Sequence, residues 1–271
     1  MISTAAIDIE TPDWQIAGRA WDHAAADWAT LFEPYARDAI ETILATTGVG
    51  PGTSLLDLAC GSGVALGRAE RLGARTAGID AAAGLLEIAG RRAPSAELVW
   101  GSMFDLPWAD ASFDVVTSFN GIWGGCDEAI AEAARVLRPG GRLAFTFWGP
   151  GKHLDLRDFF IAVGTSTPEV GEELIALAQI AEPGVAEAMV EAAGLRVDER
   201  GTSTAIGEWP DADTAWRALR SPGVVLPSLE HTGEDELRRR VLDAVAPFRA
   251  ADGSYLVRNQ LVHVVATKPA S

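Results

Sequence analysis

With 271 residues, 48% of them apolar, the chain has material for one large α/β domain or a core domain with a small appendage. Its formal charge of −16, with only Lys152 and Lys268 as lysines and the arginines scattered, argues against a DNA or RNA partner, whose phosphates need clustered cations. No apolar run approaches the roughly 18 residues of a membrane helix, and the two cysteines, Cys60 and Cys126, make no disulfide framework or metal-ligand spacing.

The N-terminus has no basic residue ahead of an apolar core and carries Asp8 and Glu10, so a cytoplasmic protein acting on small molecules is expected. Thr11-Pro12 reads as a helix start. Beyond it Trp14, Trp21 and Trp28 recur every seven residues with Phe32 four further on, one stripe of a helix. A second helix is predicted over 34–45, and the breaker cluster from Thr47 to Gly52 ends this region.

Short apolar runs then alternate with helical patterns. Strands are predicted at 54–58, 75–79, 97–100, 113–118 and 142–147, with helices at 64–72, 82–92 and 127–137. Such alternation implies a parallel sheet covered on both faces. Arg138-Pro139-Gly140-Gly141 is the turn ahead of the fifth strand. Residues 151–194 read as mostly helical, 195–206 and 254–267 as strands, and helices are predicted near 213–220 and 234–248 between them. The expected fold class is α/β: a Rossmann-like, doubly wound, mostly parallel seven-stranded sheet with an antiparallel terminal strand, N-terminal helices and a helical cap. Its parts are an N-terminal helical lid (1–50), a cofactor-binding core (51–150), and substrate-cap segments with the terminal strand pair (151–271), integrated as one domain.

The stretch LLDLACGSGVALG (55–67) is a strand, a glycine turn and a helix start, the usual holder of a nucleotide cofactor. Gly61-x-Gly63-x-x-x-Gly67 is a loose relative of the dinucleotide fingerprint, and Asp80 lies where an acid meets a ribose hydroxyl. Two features count against NAD. Asp57 sits four residues before the first glycine, where dinucleotide folds stay apolar, and the third glycine is displaced by one position.

Four blocks decide between the cofactors: LLDLACGSG (55–63), GIDAA (78–82), GSMFDLPWADASFDVV (101–116) and ARVLRPGGRLAFTFW (134–148). In this order and spacing they resemble the class I S-adenosylmethionine-dependent methyltransferases, nearest the subgroup with ubiquinone-type and other small-molecule enzymes. The resemblance covers roughly residues 50–150 and implies S-adenosyl-L-methionine as cofactor, S-adenosyl-L-homocysteine as product. It implies that the backbone of Ala59, Cys60 and Gly61 holds the methionine tail, with Asp57 near its ammonium or organising the turn, and that Gly61 and Gly63 let the backbone come close. Asp80 would accept both ribose hydroxyls, Ala81 would lie near the adenine, and Asn120 would line the methionine end. Ser102 stands where the family often has an acid; its hydroxyl accepts the adenine amino group more weakly, while the Met103 amide can still meet the ring.

A carboxylate suits a sulfonium cofactor with an ammonium tail, whereas beside a pyrophosphate it is repulsive. His153, just past the fifth strand, is the candidate catalytic residue, and His23 a weaker one. Trp21, Tyr35 and Trp123 are candidate substrate contacts. No Asp/His cluster suggests a metal site, and a homodimer is left open. The function expected is methyl transfer to an O, N or C atom of a small, partly apolar metabolite. A homologue with a non-methylating or binding role is the alternative, and an NAD-dependent oxidoreductase a remote one.

Overall fold

In the computed structural model, residues 13–166, 171, 174–175 and 178–270 are described. The expected helix start at Thr11-Pro12 lies outside them. Strand β1 (Ser54–Leu58) is buried along its whole length, which is why it reads as a continuous apolar run rather than an alternating one. It pairs in parallel with β2 (Arg75–Asp80) on one side and β4 (Phe113–Phe119) on the other. β3 (Glu97–Trp100) continues the sheet beyond β2, and β5 (Leu137–Trp148) beyond β4. β7 (Tyr255–Thr267) runs antiparallel to β5, and β6 (Arg196–Trp209) antiparallel to β7. The sheet order is β3-β2-β1-β4-β5-β7-β6.

Successive side chains of β1 point to opposite faces, so Leu55 belongs to one apolar layer and Leu56 and Leu58 to the other. All three are fully buried, and truncating any of them to alanine costs about 2–5 kcal/mol. The first layer also holds Phe32 and Tyr35 from the N-terminal region and Trp209 and Trp216 from the C-terminal insertion. Crossovers leave β1 toward β2 and return on the other side at β4, so the chain reverses direction around β1. Open α/β sheets bind ligands beyond the strand ends at that reversal.

The N-terminal stripe is not one helix. Helix α1 (Asp13–Asp22) ends where the His23 ring meets the Ala20 carbonyl, Nδ1 to O 2.6 Å. A one-turn helix α2 (Ala25–Asp27), a π-type turn Trp28–Phe32 and a 3-10 turn Glu33–Ala36 precede α3 (Arg37–Thr46). The break redirects the tryptophans: Trp14 packs edge-on against Trp100, whereas Trp21 meets Trp28. This region is tied down at several points. The Trp209 indole donates to the Leu31 carbonyl over 2.9 Å, and His23 Nε2 meets the Arg220 carbonyl at 2.9 Å.

Helices α4 (Val64–Arg71), α5 (Ala83–Arg92) and α6 (Asp127–Val136) follow β1, β2 and β4. β5 begins earlier than expected because Leu137 pairs with Phe113 before a register shift. Beyond it come a 3-10 turn at Gly151–His153, helix α7 (Arg157–Gly164) and a helix Val185–Ala192. In the insertion, Asp211 caps the helix Ala212–Arg220 by accepting the Thr214 N–H over 2.7 Å. His231 lies on the helix Leu226–Thr232.

Candidate active site

The turn after β1 is held in left-handed backbone at three residues: Ala59 (φ 51°), Gly61 (φ 53°) and Gly63 (φ 77°). The Cys60 N–H donates to the Ile79 carbonyl over 3.0 Å, fastening the turn to β2. At the end of β2, Asp80 accepts the Gly61 N–H at Oδ2 over 2.7 Å and the Ala82 N–H at Oδ1 over 2.8 Å. Asp80 thus braces the glycine turn and the approach to α5, while each oxygen keeps a further lone pair.

Asp57 is 2% exposed and accepts the Thr117 hydroxyl over 2.7 Å from the neighbouring strand. Burial pushes its carboxyl up to about 8; the Thr117 bond pulls the other way, and Asp80 and Glu33 push further up. Asp80 is raised to about 6, again by burial first, with the Ala82 and Gly61 amides opposing and Glu33 and Asp22 adding. Burial thus favours the protonated form of both carboxyls, more strongly at Asp57 than at Asp80.

Across from them, Asn120 (φ 58°) accepts the Thr146 hydroxyl at Oδ1 over 2.7 Å, and its N–H donates to Thr146 Oγ1 over 3.0 Å. Its buried Nδ2 has no partner among the described residues, a donor facing unfilled hydrogen-bonding demand. The Trp123 indole donates to the Asn120 carbonyl over 2.5 Å. Ser102 lies on the same rim, where its Oγ accepts the Phe104 N–H over 3.2 Å. Asp105 is exposed in the following turn.

The N-terminal region supplies a residue that sequence reasoning missed. Glu33 accepts the Ser62 N–H at Oε1 over 3.1 Å; its Oε2 takes the Ser62 hydroxyl and, at 2.9 Å, Arg92 Nη1. Arg92 also donates to Ser62 Oγ and, over 2.7 Å, to the Ala29 carbonyl. Burial raises the Glu33 carboxyl, opposed by Ser62 and Arg92. Asp22 accepts the Gly84 N–H over 2.8 Å, and α1 lies so close to Ala81 that a Cβ on Gly18 overlaps the Ala81 carbonyl. No local pattern announces Glu33, because its partners lie 29 and 59 residues away.

The N-terminal segments, strand ends and α7 border one cavity of about 860 Å³, in the upper part of the range for small-molecule sites. Its wall holds Asp57, Ala59, Cys60, Gly61, Asp80, Ala81, Ser102, Met103 and Asn120, together with Trp21, Tyr35 and Trp123. Three candidates are not brought to it. Gly63 packs instead, since a Cβ there comes 2.8 Å from the Ala89 Cβ on α5. His153 is exposed in its 3-10 turn and does not line the cavity, and both ring nitrogens of His23 meet backbone carbonyls.

Residues 56–145 match the family model of the methyltransferase domain. The malonyl-(acyl-carrier protein) O-methyltransferase of Dechloromonas aromatica is 34% identical over 176 residues, 63% of this chain and 62% of that protein. The demethylmenaquinone methyltransferase of Mycolicibacterium paratuberculosis is 37% identical over 135 residues, 43% of this chain and 57% of that one. The chain spans 41% to 62% of the length of such curated relatives. The crystal structure of the cyclase SpnF superposes with a TM-score of 0.63 at 16% identity, covering 96% of this chain and 98% of that one, which shows a shared fold. The chain therefore contains a methyltransferase domain over residues 56–145, set in the seven-stranded sheet described above.

Proposed function

We propose that the protein is an S-adenosylmethionine-dependent methyltransferase acting on an O, N or C atom of a small, partly apolar metabolite, in the cytoplasm and in specialised metabolism. The observation that carries this reading is the junction of buried Asp57, buried Asp80, the glycine turn and the unpartnered Asn120 Nδ2 at one end of a large apolar cavity. That donor set fits a cofactor with an ammonium, a sulfonium and ribose hydroxyls but no phosphate. A pyrophosphate would meet carboxylates there, so a nicotinamide dinucleotide is disfavoured.

Asp57 would face the ammonium of the methionine tail, along the backbone of Ala59, Cys60 and Gly61, with Asn120 Nδ2 donating on the far side. Asp80 would accept the ribose hydroxyls beside its two backbone bonds, and Ala81, Ser102 and Met103 would border the adenine. Gly63 supports the turn from behind. When bound, the cofactor supplies an electrophilic methyl group on sulfur. The chain's own contribution is to line up an acceptor against it between Trp21, Tyr35 and Trp123 and to keep water out. The described wall has no histidine, so an acceptor proton would pass to a wall carboxylate or to water.

Of the two relatives, the one named for demethylmenaquinone supports a metabolite acceptor, while the other is named for a malonyl group on an acyl-carrier protein. Titration calorimetry with S-adenosylmethionine, S-adenosylhomocysteine and NADH tests the reading; no binding of the first two at millimolar concentration sinks it. A second reading, a cofactor-binding homologue with a non-methylating role, is favoured by the absence of histidine from the described wall. A protein of the same fold is named a cyclase. Cofactor binding without transfer of a labelled methyl to any metabolite extract would support that second reading.

A further inference from the structure

Part of the cavity wall is built from rings in unbroken contact. Trp21 meets Trp28 at 4.8 Å between centroids, Trp28 stacks on Phe32 at 5.2 Å, and Phe32 meets Tyr35 at 5.3 Å. Tyr35 stacks on Trp148 at 4.9 Å, and Trp148 meets Phe160 at 5.6 Å. All six line the cavity. Such a ladder offers flat faces and ring edges at the spacing at which aromatic pairs attract.

The charges on the wall are one-sided. The described wall carries Glu33, Asp57, Asp80 and Glu182 against a single basic residue, Arg157. Arg157 is 59% exposed and already pairs with Asp158 over 3.1 Å. Arg92, the cation nearest the glycine turn, is committed to Glu33, Ser62 and Ala29. With Asp57 and Asp80 facing the cofactor and Glu33 paired with Arg92, the acceptor side of the described wall keeps Glu182 and the Asp158-paired Arg157. A phosphate or carboxylate there loses its water and meets no uncommitted cation.

We propose that the acceptor is an uncharged, flat, apolar molecule seated on the ring ladder, and that phosphorylated or carboxylated acceptors are excluded. The inference rests on the methyltransferase reading and narrows its substrate class.

Two probes of matched ring size test it: 2-naphthol and 2-naphthyl phosphate, titrated into the full chain saturated with S-adenosylhomocysteine and followed by calorimetry and tryptophan fluorescence. Naphthol is expected to bind roughly tenfold or more tightly than its phosphate ester. Trp148→Ala and Phe160→Ala are expected to weaken naphthol roughly tenfold while the S-adenosylhomocysteine affinity stays unchanged. Phe160→Leu, which keeps the apolar volume, repeats the ring test should either alanine variant fail to fold. Equal or tighter binding of the phosphate ester overturns the proposal, most directly if Arg157→Ala then abolishes it. So does naphthol that fails to bind at ~1 mM, or that binds the ring variants as well as the wild type. Loss of S-adenosylhomocysteine binding would strike the methyltransferase reading itself; anion binding with that affinity intact strikes only the acceptor class.

Discussion

Replacing Asp57 by asparagine changes how the stability of the ligand-free chain depends on pH. In the unfolded chain this carboxyl releases its proton near 3.8, whereas burial holds the proton in the folded chain to about 8. The folded state thus binds the proton more tightly, and the stability it contributes is lost as pH rises through that window. Asp80, raised to about 6, contributes the same way lower down. Above pH 6 Asp57 carries the larger remaining difference, and Glu33, present in both proteins, largely cancels between them. One proton over pH 6 to 7.5 is worth about 2 kcal/mol. The asparagine amide oxygen can still accept the Thr117 hydroxyl that Asp57 accepts at 2.7 Å, so the fold is expected to survive. Urea unfolding at pH 6 and 7.5 reads the effect: the wild type should lose about 2 kcal/mol more than the variant. A wild type that is flat, or that gains stability relative to Asp57→Asn, would refute the idea that burial keeps this carboxyl neutral.

Other outcomes follow from close contacts. Gly63→Ala places a Cβ 2.8 Å from the Ala89 Cβ in left-handed backbone, and should cost about 2–4 kcal/mol by urea unfolding; a loss under about 0.5 kcal/mol would contradict it. Arg92→Ala removes the cation from Glu33, whose side chain is 12% exposed. Amide exchange over residues 13–36 should then speed up roughly tenfold with β1 and β4 unaffected, and unchanged protection there would show that the ion pair does not hold this N-terminal region.

The strand, glycine turn and helix at 54–71 were legible because each rests on signals a few residues long: a buried apolar run, positive-φ glycines and a helical period. The same holds for β2 with Asp80 at its end and for the long terminal strand pair. The tryptophan stripe misled because heptad spacing was read as one helix, whereas the break after Asp22 is enforced by contacts with Ala20 and with the distant Arg220 carbonyl.

Order along the chain, the identity of the strands and the acidic character of the cofactor turn are properties of neighbouring residues, and the sequence alone determined them. Which side chains share the cavity was decided only by tertiary structure. Gly63 belongs to packing against α5, His153 to solvent, and Glu33 to the glycine turn through Ser62 and Arg92. Each outcome depends on how helices seat against the sheet across tens of residues, and burial and hydrogen-bond satisfaction over such separations leave no periodic trace in the chain.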